Sequence, residues 1–269
     1  MQDSSVAGVR FAFSPPGHLG QASAAVSERG GGASDAPYRS LNVGRSTADA
    51  PNRVMDNEES VLRALGLPNR VARLRLEHAA RIIRVDGPGM FGPADALLTE
   101  CDDLTLWFTV ADCYPVTLSA GSFRIHGHCG WRSVAAGLPE SLVTALAEAS
   151  ALPAREHRAW IGPGIGACCY PVGPEVAARF ELASLVTGPD GTRRLDLAGD
   201  IRRRLVAAGL PESAVAMDCA CTSCEADRFF SHRRDGAPTG RMAALCWSRA
   251  AGSSARELRE RGSLRAQHE

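Results

Sequence analysis

Cysteine thiolate and histidine imidazole are the donors that hold zinc or copper, and three positions of this chain offer one beside glycine or polar neighbours. They are His78 in Arg75-Leu76-Glu77-His78, Cys113 in Ala111-Asp112-Cys113-Tyr114-Pro115, and His128 in His126-Gly127-His128-Cys129-Gly130. Cys113 and His128 each close an apolar run, where a side chain can face a cleft rather than the core, and Pro115 is expected to stop the Cys113 strand. His126 lies on the strand face of His128 because side chains alternate with a period of two, which makes it a further donor, a supporting partner or a packed residue. Asp112 is a candidate for orienting a ligand or serving as a base, or else a carboxylate capping a loop.

Other constellations compete. Cys221 and Cys224 form a Cys-x-x-Cys step, half of a zinc knuckle, but no second pair follows it, which favours packing thiols. Residues 162–166, Gly-Pro-Gly-Ile-Gly, suit an anion-binding nest or a tight strand-to-helix turn, and their spacing departs from the dinucleotide fingerprint. Arg233 and Arg234 flank a turn, and Arg241 follows Thr239-Gly240. These guanidinium forks suit either a phosphate clamp or carboxylate pairing across a loop.

Composition narrows the chemistry. Thirty basic residues balance thirty acidic ones over 269 residues, so no net field favours nucleic acid or a membrane surface as partner. The chain contains no lysine, so every cation among the thirty is arginine; this excludes Schiff-base lysine chemistry and argues against a P-loop. No apolar run approaches the roughly 18 residues needed to cross a bilayer, and residues 1–15 lack the pattern of a secretory signal. Nine cysteines, an odd number with Cys168 and Cys169 adjacent, read as reduced thiols in a cytoplasmic protein rather than a disulfide framework.

The elements that must position these residues interleave from end to end. Apolar periodicity predicts a strand near 9–13, then a long Gly, Ser and Pro-rich loop to residue 40. A helix follows over 52–67, with short strands over 81–85, 96–99 and 104–110. Further along come a strand over 123–128, one long helix over 134–152, and a strand over 159–161. Helices over 173–185 and 196–209 and strands over 215–219 and 240–247 complete the pattern. The class is therefore α/β or α+β with a substantial core. Residues 1–247 are expected to form a single domain, and the Arg, Glu and Ser-rich stretch 248–269 a frayed or disordered tail.

Taken in order, several segments resemble the laccase-domain family, first named multicopper polyphenol oxidases and later recognised as zinc-dependent purine nucleoside phosphorylases with adenosine deaminase activity. The resemblance rests on Tyr38-Arg39-Ser40-Leu41-Asn42-Val43-Gly44, Ala94-Asp95-Ala96, Ala111-Asp112-Cys113, His128-Cys129-Gly130-Trp131-Arg132, Gly162-Pro163-Gly164-Ile165-Gly166-Ala167-Cys168-Cys169-Tyr170, and Cys221 through Phe230-Ser231-His232-Arg233-Arg234-Asp235-Gly236 to Arg241. It implies one domain built as a layered sandwich of mixed β-sheets flanked by helices, with His78, Cys113 and His128 as ligands of a zinc ion, copper being the lesser expectation. It further implies small-molecule substrates, a nucleoside and phosphate, for phosphorolysis of adenosine, inosine or methylthioadenosine or for deamination of adenosine. The oligomeric state stays open, a monomer being compatible with the sequence.

Where the family usually carries Gln-Val-His-Gly, this chain has Leu76-Glu77-His78-Ala79, and Ser223 and His232 replace the usual loop tyrosines. The donors survive while the walls change, so a divergent relative acting on another small polar metabolite is also a reading. Two imidazoles and a thiolate leave tetrahedral zinc one position open, as in catalytic sites, where bound water has a pKa of about 7. Arg233, Arg234 and Arg241 are then candidates for holding phosphate or ribose, and Asn42 and Arg45 for lining the pocket from the N-terminal side. The alternative function is a metal-free cysteine hydrolase or amidase with Cys113 as nucleophile and His128 as its base. Copper-dependent phenol oxidation is disfavoured, because seven scattered histidines do not supply the paired motifs a multicopper centre needs.

Overall fold

The computed structural model describes residues 8–248; of the polar tail expected over 248–269, Ser248 closes the last strand and the rest lies outside the described residues. The chain opens with strand β1 (Phe11–Phe13) and the fully buried β2 (Ala22–Ser27). Sequence pattern predicts loop where β2 stands. Its residues Ala-Ser-Ala-Ala-Val-Ser have weak intrinsic strand preference, and tertiary pairing on both edges decides their state instead.

Helix α1 (Pro51–Ala64) begins with proline at a position needing no N–H partner and buries Val54, Val61 and Leu62 on one stripe. Gly66 ends it in the left-handed region at φ 64°, where its N–H and that of Leu67 return to Arg63 O and Leu62 O. Next come β3 (Val71–Leu76), β4 (Ile82–Arg84), β5 (Gly89–Ala94), β6 (Ala96–Thr99) and β7 (Thr105–Val110). After a three-residue bend the chain enters β8 (Tyr114–Ala120), then β9 (Phe123–Cys129). Pro115 therefore does not stop a strand: it sits within β8 opposite His128, and its carbonyl accepts from Gly162 N at 2.8 Å.

The long helix expected over 134–152 is two helices, α2 (Trp131–Ala135) and α3 (Leu138–Ser150), broken at Gly137 with φ 88°. Strand β10 (Arg158–Ile161) follows. The helix expected over 173–185 is only the single turn α4 (Pro174–Ala177), and its last residue already belongs to the hairpin of β11 (Leu185–Thr187) and β12 (Arg193–Leu195). Helix α5 (Leu197–Ala207) starts on Asp196, whose carboxylate accepts from Gly199 N at 3.0 Å. Strand β13 (Val215–Met217), the short turn α6 (His232–Asp235) and β14 (Met242–Ser248) finish the fold.

Two six-stranded mixed sheets pack face to face, in the orders β1-β2-β14-β7-β3-β5 and β13-β10-β8-β9-β6-β4. Alternation assigns each strand's residues to a layer. Leu106, Phe108 and Val110 of β7 join Met242, Ala244 and Cys246 of β14 between the sheets, while Trp107, Ala243 and Leu245 face outward toward α1. In β8 and β9, Val116, Leu118 and Ile125 face α3 and α5. That same alternation leaves Arg124, His126 and His128 on the face of β9 that looks into the sandwich, where both histidine rings meet Phe108. Among the described residues no helix is long and apolar enough to cross a membrane.

Candidate metal centre and substrate site

Strand register brings the donor segments together at one end of the second sheet. The β8/β9 ladder pairs Tyr114 with Cys129, so Cys113, the residue before it, falls beside Gly130, the residue after. On the other side of β9, Ala96 pairs with Gly127, so Asp95 falls beside His128 and its carbonyl accepts from His128 N at 2.8 Å. Strand β3 ends with Leu76 paired to Ala94, which delivers His78 to the same place.

Asp95 fastens that delivery. Its carboxylate is fully buried and accepts from His78 N at 2.7 Å and Ala79 N at 2.6 Å. Burial raises its carboxyl above the ordinary range, against the lowering effect of those two N–H groups. His78, an exposed residue, holds φ 63° and Asp112 φ 88°, left-handed conformations uncommon outside glycine, in the two loops that carry His78 and Cys113. Sequence reasoning gives Asp95 no role; its only signal is a carboxylate at the head of an otherwise apolar strand.

Gly130 marks the point of convergence. A Cβ there would stand 3.1 Å from Cys113 Sγ, 3.7 Å from His128 Cε1 and 3.9 Å from His78 Nδ1. The His78 and His128 rings lie 5.1 Å apart, and donor atoms of His78, Asp95 and His128 all fall within 4.8 Å of one another. His128 Nδ1 is buried without a hydrogen-bond partner, the kind of orphan that a bound metal satisfies. His128 is buried and pushed down to about 3 by desolvation, then by His78; Cys113 is pushed up to about 12 by desolvation, then by Asp112. A borderline metal fits a donor set of this kind. His126 is not part of it: Nδ1 pairs with Thr117 Oγ1 at 2.9 Å and the ring stacks on Phe108 at 4.3 Å.

Around Cys113 the polar residues divide. Asp112 has both oxygens engaged, by Thr222 Oγ1 at 2.7 Å and Arg233 N at 2.7 Å, so it braces the Cys113 bend. Arg241 is partly buried, and the charges of Asp112 and Cys113 oppose the lowering that desolvation imposes on it. Arg233 lies over the Tyr170 ring at 4.8 Å and donates to Pro171 O at 2.6 Å. Burial, then the Cys113 charge, pushes Tyr170 up to about 12, with Arg233 and Arg132 acting in the opposite sense. Arg132, to which sequence reasoning gives no role, thus joins Arg233 and Arg241 as a cation within electrostatic reach of Cys113 or Tyr170.

Three of the candidate substrate residues, Asn42 and Arg45 for the pocket wall and Arg234 for phosphate or ribose, have their partners within the fold. Asn42 is fully buried, its amide committed to Thr47, Asp49, Gly44 N and Arg241 N, so it supports Arg241 from behind rather than lining a pocket. Arg45 makes a bidentate pair with Glu58 of α1 at 2.7 and 2.5 Å. Arg234 staples its own loop, donating to Thr222 O, Phe229 O and Asp235. The 162–166 loop is a packing turn and not an open nest. Gly162 N, Ile165 N and Gly166 N go to Pro115 O, Asp112 O and Cys221 Sγ, and a Cβ on Gly164 would strike the Tyr114 ring at 2.5 Å.

Layered mixed sheets with a Cys and His donor set at one sheet end define an α/β sandwich protein carrying a metal-like site. The chain belongs to the family described as multi-copper polyphenol oxidoreductase laccase, whose model matches residues 23–249. A relative from Deinococcus radiodurans named purine nucleoside phosphorylase is 37% identical over 227 residues, covering 82% of this chain and 87% of the relative. Purine nucleoside phosphorylase YfiH of Escherichia coli is 34% identical over 232 residues, covering 83% and 93%. The crystal structure of YlmD from Geobacillus stearothermophilus superposes with a TM-score of 0.84 at 29% identity, over 93% of this chain and 100% of that one. The relatives' shared name supports an enzyme.

Proposed function

We propose that the chain is a zinc-dependent purine nucleoside phosphorylase that cleaves adenosine, inosine or methylthioadenosine with phosphate. The observation that carries this reading is the convergence of Cys113, His78 and His128 on Gly130, with the buried Nδ1 of His128 left unpaired. His78, Cys113 and His128 would hold the metal, which when bound supplies a Lewis acid for an oxygen placed against it. Arg241, Arg233 and Arg132 neutralise and orient phosphate, as guanidinium forks do. In the reaction the bond from ribose C1′ to the purine nitrogen breaks, a phosphate oxygen bonds to C1′, and the departing base takes up a proton. Asp112 acts as a positioning residue through the Cys113 bend, and Asp95 through the His78 and His128 segments.

The alternative is a metal-free hydrolase with Cys113 as nucleophile and His128 as its base. The test is turnover of inosine and adenosine with and without inorganic phosphate, in the wild type and in Cys113→Ala and His128→Ala. Free base released only with phosphate, and lost in both folded variants, is the expected result. Full activity in Cys113→Ala overturns the proposal, and ammonia released from adenosine without phosphate replaces phosphorolysis with deamination.

A further inference from the structure

The proposed reaction leaves a second set of metal donors unused. Cys168 and Cys169 sit on the short turn after the 162–166 loop, and Cys221 and Cys224 on the loop after β13. The partner pair missing downstream of the Cys-x-x-Cys step lies upstream of it, 52 residues before in the case of Cys169 and Cys221. All four Sγ atoms fall within 4.8 Å of one another, with Cys168 to Cys224 at 3.5 Å and Cys169 to Cys224 at 3.3 Å. Those separations exceed a disulfide bond of about 2.05 Å. We propose that Cys168, Cys169, Cys221 and Cys224 bind a structural zinc ion, separate from the His78, Cys113 and His128 site.

Tetrahedral zinc with Zn–S bonds of about 2.3 Å sets its four sulfurs about 3.8 Å apart, a spacing that lies between the two close pairs at 3.3 and 3.5 Å and the 4.8 Å within which all four sulfurs fall. A cubane iron–sulfur cluster, with irons and sulfides between its cysteines, needs a wider spread. The backbone is shaped for sulfur. Gly166 N donates to Cys221 Sγ at 3.2 Å. Gly166 has ordinary backbone angles, φ −70°, so it is glycine for space: a Cβ there would lie 3.2 Å from Cys168 Sγ and 3.5 Å from Cys221 Sγ.

The ion would join two loops that meet at the isolated bridge of Gly164 with Cys221. One of them carries Thr222, whose hydroxyl braces Asp112 beside Cys113. Closed coordination by four thiolates is structural in kind and adds binding energy to folding. This inference stands apart from the proposed reaction and holds whatever the other site catalyses.

The test is elemental analysis of the full chain purified from zinc-supplemented culture under reductant, paired with alkylation mapping by mass spectrometry. The wild type is expected to carry roughly two zinc ions, and both the Cys113→Ala/His128→Ala and the Cys221→Ser/Cys224→Ser variants roughly one each. In the Cys113→Ala/His128→Ala variant, Cys168 and Cys224, though exposed, resist iodoacetamide until a chelator is added, while exposed Cys219 reacts at once. That variant alone decides the matter should the cysteine variant fail to fold. A metal-free Cys113→Ala/His128→Ala protein with freely alkylated Cys168 and Cys224 overturns the proposal. So does protection lifted by reductant without chelator, which marks a disulfide, or stoichiometric iron in place of zinc.

Discussion

Asp95 touches both histidine segments at once, through two carboxylate bonds to the His78 loop and a carbonyl bond to His128. Asp95→Asn keeps the shape but sets an amide NH2 against one of two backbone N–H groups. That is expected to cost about 1–3 kcal/mol of stability for the unsatisfied donor. Metal affinity should fall about 10- to 100-fold, as when partners behind a ligand are changed. Denaturant unfolding and chelator competition measure the two effects, and unchanged metal retention would remove Asp95 from the role given it. The donors themselves are legible in the sequence, because cysteine and histidine beside glycine or polar residues near strand ends are chemically conspicuous. Asp95 is not, since a single carboxylate before Ala-Leu-Leu-Thr looks like a turn. Asn42, Arg45 and Arg234 mislead because a polar side chain's type does not reveal whether backbone, carboxylate or solvent completes it.

At the scale of elements, glycines set how closely loops approach the site. Gly130→Ala would place a methyl where the donors converge, so it is expected to lose zinc and activity while the protein stays folded, read by metal content and circular dichroism. Gly164→Ala instead drives a methyl into the Tyr114 ring, whose hydroxyl donates to Ile165 O at 2.8 Å. Its expected effect is overpacking, with about 1–3 kcal/mol lost in denaturant unfolding. Equal outcomes for the two substitutions would contradict this division. The strongly apolar strands β6, β7 and β9 are readable from pattern, as is α1. Strand β2 is hidden by its small residues, and the α2 and α3 break by a single glycine within a continuous apolar period. Pro115 lies inside a strand because its carbonyl, not its missing N–H, carries the bond to Gly162 at the end of β10.

Across the whole molecule, the site depends on two sheets held in fixed relation by the layer between them. Phe108 belongs to that layer and touches both His126 and His128. Phe108→Ala is expected to cost about 3–5 kcal/mol and to lower Tm. It should also weaken metal retention, because the cavity opens beneath the His128 ring; a stability loss with unaltered zinc affinity would show that the sheets' packing and the site are uncoupled. The α/β or α+β class follows from interleaved apolar periods and the layered sandwich from the family resemblance, but which strands neighbour one another does not follow from local pattern. Parallel β3 beside both β7 and β5 is a long-range pairing that local pattern cannot specify. The most direct measurement of the central claim is anomalous diffraction at the zinc edge from crystals of the zinc-loaded chain. The account predicts a peak bonded to His78, Cys113 and His128, with one coordination position left to solvent or phosphate. Ordered side chains of those three residues without a peak between them, or a peak closed by a fourth protein donor, would contradict it.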